Sequence, residues 1–251
     1  MRAQGFECRG IDPPAPSSPG HERAYYTDER ARQHNRKAEI VDLVVANNVF
    51  AHIDNLADVF RGIKRILAPD GAVVFEVQYL VDLIAGGTFD MIYHEHVNYH
   101  TLGALDKFLI EMGFVLTDWQ HIPEHGGSIR VTAQRDGDRA MIPNEHLDWN
   151  KLARRVEAVT RRLHHLLRGG GVVAFGASAK ACTLIHSTGK AKYISYCVDD
   201  TPEKQGRYIP GTDIQIRPVS ALKDEPVLLT AWNYESIIRE RIPNVLINPF
   251  A

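Results

Sequence analysis

"VDLVVANNVF", residues 41–50, is a nearly unbroken apolar run of strand length, the pattern of a β-strand buried on both faces of a parallel sheet. Directly after it the period changes. Leu56, Phe60, Ile63 and Leu67 recur at helical spacing behind the capping candidates Asp54 and Asn55, and "APDG" (68–71) ends that helix. "AVVFEV" (72–77) then reads as a second buried strand. Strand, helix and strand in so short a span predict a parallel α/β unit.

Working outward, Thr101 can cap a helix that puts Leu102, Leu105, Phe108, Leu109 and Met112 on one side and stops at Gly113. "FVLTDWQHIP" (114–123) and "SIRVTAQR" (128–135), joined by "EHGG", read as a hairpin. The order suits the end of a Rossmann-like sheet, whose ligands lie beyond the carboxyl ends of the strands. The amphipathic stretch 143–168 reads as a connecting helix, its arginines on a solvated face. Beyond it, "VVAFGA", "ISYCVDD" and "PVLLTAWN" alternate with helical or turn-rich segments. The expected organisation is a first α/β domain over 1–142, a connecting helix over 143–168 and a smaller α/β domain over 169–251.

Composition removes several classes of function. A chain of 251 residues with a formal net charge of −2 has no basic excess for nucleic acid. No apolar run approaches membrane-spanning length and the N-terminus has no apolar leader, so the cytoplasm is the expected location. Three widely spaced cysteines make neither a disulfide framework nor a zinc module. Nothing in the sequence decides whether the chain forms a homo-oligomer.

"DMIYHEHVNYHT" (90–101) is where acid–base chemistry concentrates. A carbon beside a ketone becomes a nucleophile when a base removes its proton while a donor steadies the enolate oxygen, a chemistry that groups of these types can serve. A histidine suits the base, with a free pKa of about 6.5; a tyrosine or second histidine suits the donor, and a glutamate beside the histidine can fix its tautomer. His52 follows the strand at 41–50 by two residues, on the expected ligand side. A metal reading is disfavoured, because His94 and His96 share a side only in extended chain, and His96 and His100 only in a helix.

In the last third, "GASAK" (176–180) lies where a strand becomes a helix. Gly176 would let backbone approach a ligand, and Lys180 near the positive helix end calls for a balancing anion such as a diphosphate. Lys204 and Arg207 flank glycines in "KQGRYIPG", and Trp232 with Asn233 follow another strand. Each has a plainer reading: Gly176 as a tight turn, Lys180 as a solvated charge, Trp232 as core, and Asn47 and Asn48 as residues of a strand-exit turn.

"VANNVFAHI", "FDMIYHEHVNYHTL", "HGGSIRV", "GASAKACTLI" and "DDTPEKQGRYIPGTDI", in this order and spread over nearly the whole chain, resemble the sugar C-methyltransferases. That resemblance implies methyl transfer from S-adenosylmethionine to a carbon of a keto-deoxyhexose carried on a nucleoside diphosphate. It implies a class I methyltransferase sheet followed by the smaller Rossmann-like domain, and it assigns the active site to His52, Tyr93, Glu95 and His96, with His96 as base. Asp12 would meet the ribose hydroxyls of the cofactor, and Asn47 and Asn48 would contact cofactor or substrate. Gly176, Lys180, Lys204, Arg207, Trp232 and Asn233 would hold the nucleotide sugar. The family's cysteine-rich segment, first strand and glycine-rich loop have no counterpart here, and "GFECRGIDPP" (5–14) matches the second strand, so the sheet is expected to be incomplete at its N-terminal side. The alternative is a non-catalytic sugar-nucleotide-binding remnant without a cofactor pocket.

Overall fold

A computed structural model describes residues 5–13, 20–35 and 40–251. In chain order its elements are β1 (Gly10–Ile11), β2 (His21–Glu22), α1 (Asp28–Asn35), β3 (Val41–Asn47), α2 (Leu56–Ile66), β4 (Leu67–Gln78) and α3 (Leu80–Gly86). There follow α4 (Leu102–Met112), β5 (Val115–Ile122), β6 (Ser128–Gln134), α5 (Trp149–Leu167), β7 (Val172–Phe175), α6 (Ala179–Thr188) and β8 (Ile194–Val198). Last come β9 (Ile216–Arg217), β10 (Val227–Leu229), α7 (Glu235–Arg241) and β11 (Leu246–Ile247). The contacts divide this mixed α/β chain into two units. Unit 1 is Met1–Val77, Leu102–Gln120 and Arg130–Pro143; unit 2 is Gln78–Thr101, His121–Ile129 and Asn144–Ala251.

Unit 1 is built on the sheet β3-β4-β6-β5. β3 and β4 run parallel, in register from Leu43↔Ala72 to Asn47↔Glu76. Between them α2 makes the crossover, starting where the Asn55 side chain accepts a hydrogen bond from the Asp58 N–H. Phe50, Phe60 and Phe75 pack with centroids 5.1–6.1 Å apart, and Phe108 and Phe114 close on Phe60 at 5.1 and 5.8 Å. That tilted and edge-on packing of rings is the core of the unit. α1 is pinned to α2 by the Asp28 carboxylate, which accepts from Arg32 and Arg65.

Two expectations are corrected here. β3 is not covered on both faces: Leu43 and Val45, which point to the same side of the strand, stay 41% and 48% exposed, and among the described residues the strand is the edge of its sheet. Nor does the described part of the segment at 5–14, residues 5–13, join that sheet, since among the described residues β1 pairs in parallel with β2 in a separate two-stranded sheet.

Unit 2 carries the five-stranded sheet β11-β10-β7-β8-β9, with every pairing parallel. β7 is first in sequence and central in space. The chain winds outward through β8 and β9 on one side, then returns to place β10 and β11 on the other. The strand order therefore reverses between β7 and β10, the place where open α/β sheets leave a crevice at the carboxyl ends of their strands. α5 buries Leu152, Val159, Leu163 and Leu167 in the same core as Leu83, Ile84, Phe89 and Met91. Among the described residues no helix is long and apolar enough to cross a membrane.

Asn55 accounts for where α2 begins. Asn55→Ala is expected to destabilise unit 1 by about 1 kcal/mol, read as a lower urea midpoint with an unchanged slope.

Candidate active site

The crevice of unit 2 is framed by the ends of β7 and β10. After β7, Gly176 adopts φ +103, and a Cβ there would lie 2.6 Å from the Ala231 Cβ. Its freedom is thus used to bring the two strand exits together. Thr230 ties the same exits by donating to the carbonyls of Phe175 and Gly176, 2.7 Å each. Ser178 caps α6, its hydroxyl accepting from the Ala181 N–H. From the first turn of α6, Lys180 donates to the Asn233 carbonyl oxygen and lies 5.2 Å from the centroid of the Trp232 ring.

The group facing these side chains comes from the chain itself. The 3-10 turn Phe89–Met91 packs against α6 and carries Asp90, which is 0% exposed. The Trp232 indole N–H donates to the Asp90 carboxylate over 2.6 Å. Burial pushes the Asp90 pKa up to about 6, opposed by the Trp232 hydrogen bond and the nearby Lys180 charge. The Lys180 pKa is lowered by burial, with Asp90 acting in the opposite sense. Asp90 thus acts on Lys180 as a nearby charge, while the direct partner of the ammonium is the side-chain amide oxygen of Asn233. Trp232 is enclosed further by Phe250, at 5.2 Å between centroids, and by Gly126, where a Cβ would sit 2.4 Å from the indole.

The residues after this turn form the acid–base cluster. His96 Nδ1 lies 3.0 Å from the Met91 carbonyl oxygen. A carbonyl only accepts, so Nδ1 carries the proton and, in the neutral ring, Nε2 holds the free lone pair. The Tyr93 hydroxyl donates to that lone pair over 2.7 Å, the two rings being 4.1 Å apart. Burial, helped by Glu95, Tyr99 and Asp90, pushes the Tyr93 pKa up to about 12, so its hydroxyl stays protonated at neutral pH. His94 and Glu95 are exposed. His100 is buried and pushed down to about 4 by that burial, which keeps it uncharged near neutrality.

The remaining expected residues are distributed as follows. His52, at the end of the 3-10 turn Phe50–His52, and Asn47, at the end of β3, are exposed in unit 1. Asn48 has φ +53 and donates its N–H to the Glu76 carbonyl, a strand-exit turn with an amide side chain. Asp12 is exposed just after β1, its N–H bonded to the Glu22 carbonyl. Lys204 in unit 2 donates to Asp199, whose carboxylate also accepts from the N–H groups of Ala177 and Thr201. Arg207 is exposed and makes no ion pair among the described residues. Unit 2 thus brings Tyr93, Glu95 and His96 into one segment, and Gly176, Lys180, Trp232 and Asn233 into another cluster joined to it through Asp90. Among the described residues no three His, Cys, Asp or Glu side chains converge as metal ligands.

Sequence reasoning missed Asp90 and the pair formed by His121 and Asp82, whose Nε2 and carboxylate are hydrogen-bonded. For Asp90 a signal existed: a single acid inside the otherwise apolar "TFDMIY" (88–93) is an acid placed to be buried. For His121 and Asp82, 39 residues apart, there was none.

Residues 123–248 match the C-methyltransferase C-terminal domain, and residues 1–118 match a methyltransferase domain. A curated relative, the C-methyltransferase NovU of Streptomyces niveus, is 34% identical over an alignment covering 84% of this chain and 56% of that protein; the chain spans about half the length of this relative. Among solved structures, the PH0226 protein of Pyrococcus horikoshii OT3 is 15% identical, with 53% of this chain and 73% of that one covered and a TM-score of 0.36. An O-methyltransferase family protein of Burkholderia thailandensis is 16% identical, covering 48% and 37%, with a TM-score of 0.33. Similarities this low add nothing to the topology above.

Since folding raises the Asp90 pKa from its ordinary 3.8 to about 6, the folded state holds this proton more tightly than the unfolded chain. The stability so gained is complete below the lower value and is lost as pH rises through the upper one. Urea unfolding of wild type and Asp90→Asn, followed from pH 4 to 7, is expected to show wild type losing stability relative to the variant across this window.

Proposed function

The chain belongs to the C-methyltransferase family, and from that footing we propose that it transfers a methyl group to the carbon beside the ketone of a deoxy sugar carried on a nucleoside diphosphate. The observation that carries the proposal is the paired geometry of Tyr93 and His96. The Met91 carbonyl holds His96 as the tautomer whose Nε2 is basic, and the Tyr93 hydroxyl occupies that lone pair. When a keto sugar binds, the hydroxyl turns to the ketone oxygen and Nε2 takes the proton from the adjacent carbon. The hydrogen bond from Tyr93 then strengthens as charge builds on that oxygen, which is what lowers a barrier. Glu95 is assigned a supporting charge beside the base.

S-adenosylmethionine is the proposed methyl donor, supplying a methyl group on a sulfonium. The residues of unit 1 fit it by their chemistry: Asp12 is an exposed carboxylate suited to a ribose diol, and Asn47 and Asn48 present amides where β3 leaves the sheet. For the diphosphate, Lys180 is engaged by the Asn233 side chain and Lys204 by the Asp199 carboxylate, so Arg207 is proposed as its principal cation. The alternative of a non-catalytic remnant draws less support, since binding alone gives no reason for the paired geometry of Tyr93 and His96.

The test separates proton removal from methyl transfer. His96→Asn is expected to abolish solvent exchange of the hydrogen beside the ketone while leaving nucleotide-sugar affinity nearly intact; exchange at the normal rate would remove His96 from the base role. Tyr93→Phe should slow exchange by roughly tenfold to a thousandfold, as expected for losing one donor to an oxyanion. Arg207→Ala should weaken nucleoside diphosphate binding, measured by calorimetry, more than Lys180→Ala does.

A further inference from the structure

The crevice at the strand-order reversal of unit 2 has the furnishings of a ligand site: a glycine turn, a capped helix start, a lysine, an asparagine and an indole N–H. What faces them is Asp90. We propose that this crevice is a socket for the chain's own Asp90, and that Asp90 is a positioning residue for the base, acting through the carbonyl of the next residue. The inference rests on the reading of His96 as that base.

The route is short and each link is a contact within unit 2. Trp232 Nε1 holds the Asp90 carboxylate at 2.6 Å. Lys180, oriented by Asn233 and by the Trp232 ring, adds its charge. Asp90 sits in the middle of the buried turn Phe89–Met91, so fixing its side chain fixes the peptide that presents the Met91 carbonyl. That carbonyl accepts from His96 Nδ1, which places the lone pair on Nε2 and aims it at the Tyr93 hydroxyl. An imidazole without such an acceptor distributes its proton between both nitrogens, and only one tautomer is a base at the productive atom. The cost of burying a carboxylate that Trp232 and Lys180 only partly compensate is explained if the turn must not move.

The experiment reads the tautomer directly, in the full chain with 15N-labelled histidine. The His96 signals are assigned by their loss in His96→Asn, and folding is checked by near-ultraviolet circular dichroism. In wild type His96 is expected as the Nδ1–H form. In Asp90→Ala it should move toward a mixture of both tautomers, while Asp90→Asn, which keeps an acceptor for the indole, should restore the wild-type signal. A folded Asp90→Ala chain with unchanged His96 signals would overturn the proposal. Should Asp90→Ala fail to fold, Trp232→Phe removes the N–H and keeps an aromatic ring, and an unchanged tautomer there is equally fatal. The solvent-exchange assay keeps the two ideas apart. A shifted tautomer in Asp90→Ala together with normal exchange in His96→Asn would retain the role of Asp90 and remove His96 as base; the opposite pair of results would do the reverse.

Discussion

Unit 2 depends on the meeting of one carboxylate with one indole N–H. Asp90 and Trp232 are 142 residues apart in the chain, and their hydrogen bond joins the turn before the acid–base cluster to the exit of β10. An ionised carboxylate taken out of water is costly unless it is paired and hydrogen-bonded, and a hydrogen bond to a charged group contributes roughly 1.5–3 kcal/mol. Here the compensation is incomplete, as the raised Asp90 pKa records. The same bond brings in the rest of the neighbourhood. Gly126 must be a glycine to lie against the indole, Phe250 closes the far side, and Lys180 is held over the ring.

Burial also sets the chemistry of the cluster. It raises Tyr93, so that its hydroxyl donates, and lowers His100, so that its ring carries no charge. His96 differs from both because its orientation comes from a backbone carbonyl. A backbone acceptor does not titrate, and it moves only if the turn moves. The segment therefore presents one imidazole of fixed orientation beside one hydroxyl that stays protonated at neutral pH.

Unit 1 is built on a different economy. Five of its phenylalanines make a ring cluster that needs no polar partner, and its polar residues of interest, Asp12, Asn47, Asn48 and His52, lie at strand ends or on short turns. β3 keeps Leu43 and Val45 half in water because the face they share is not covered.

Much of this was legible in sequence. The apolar run at 41–50, the helical period after Asn55 and the second strand before Gln78 follow from local periodicity and capping, and those interactions span a few residues. So did the concentration of acid–base groups at Tyr93 to His96 and the family to which five ordered motifs point. What the sequence could not decide was long-range. That β3 is an edge strand depends on what lies beside it, and that Gly176 serves Ala231 depends on the approach of two strands 55 residues apart. Lys180 lying near the charge of Asp90 depends on a turn from the middle of the chain entering a crevice made near its end. Local pattern determines which residues can be buried or made reactive. Only the tertiary structure decides which charge meets which, because that choice is made by groups far apart in the chain and close in space.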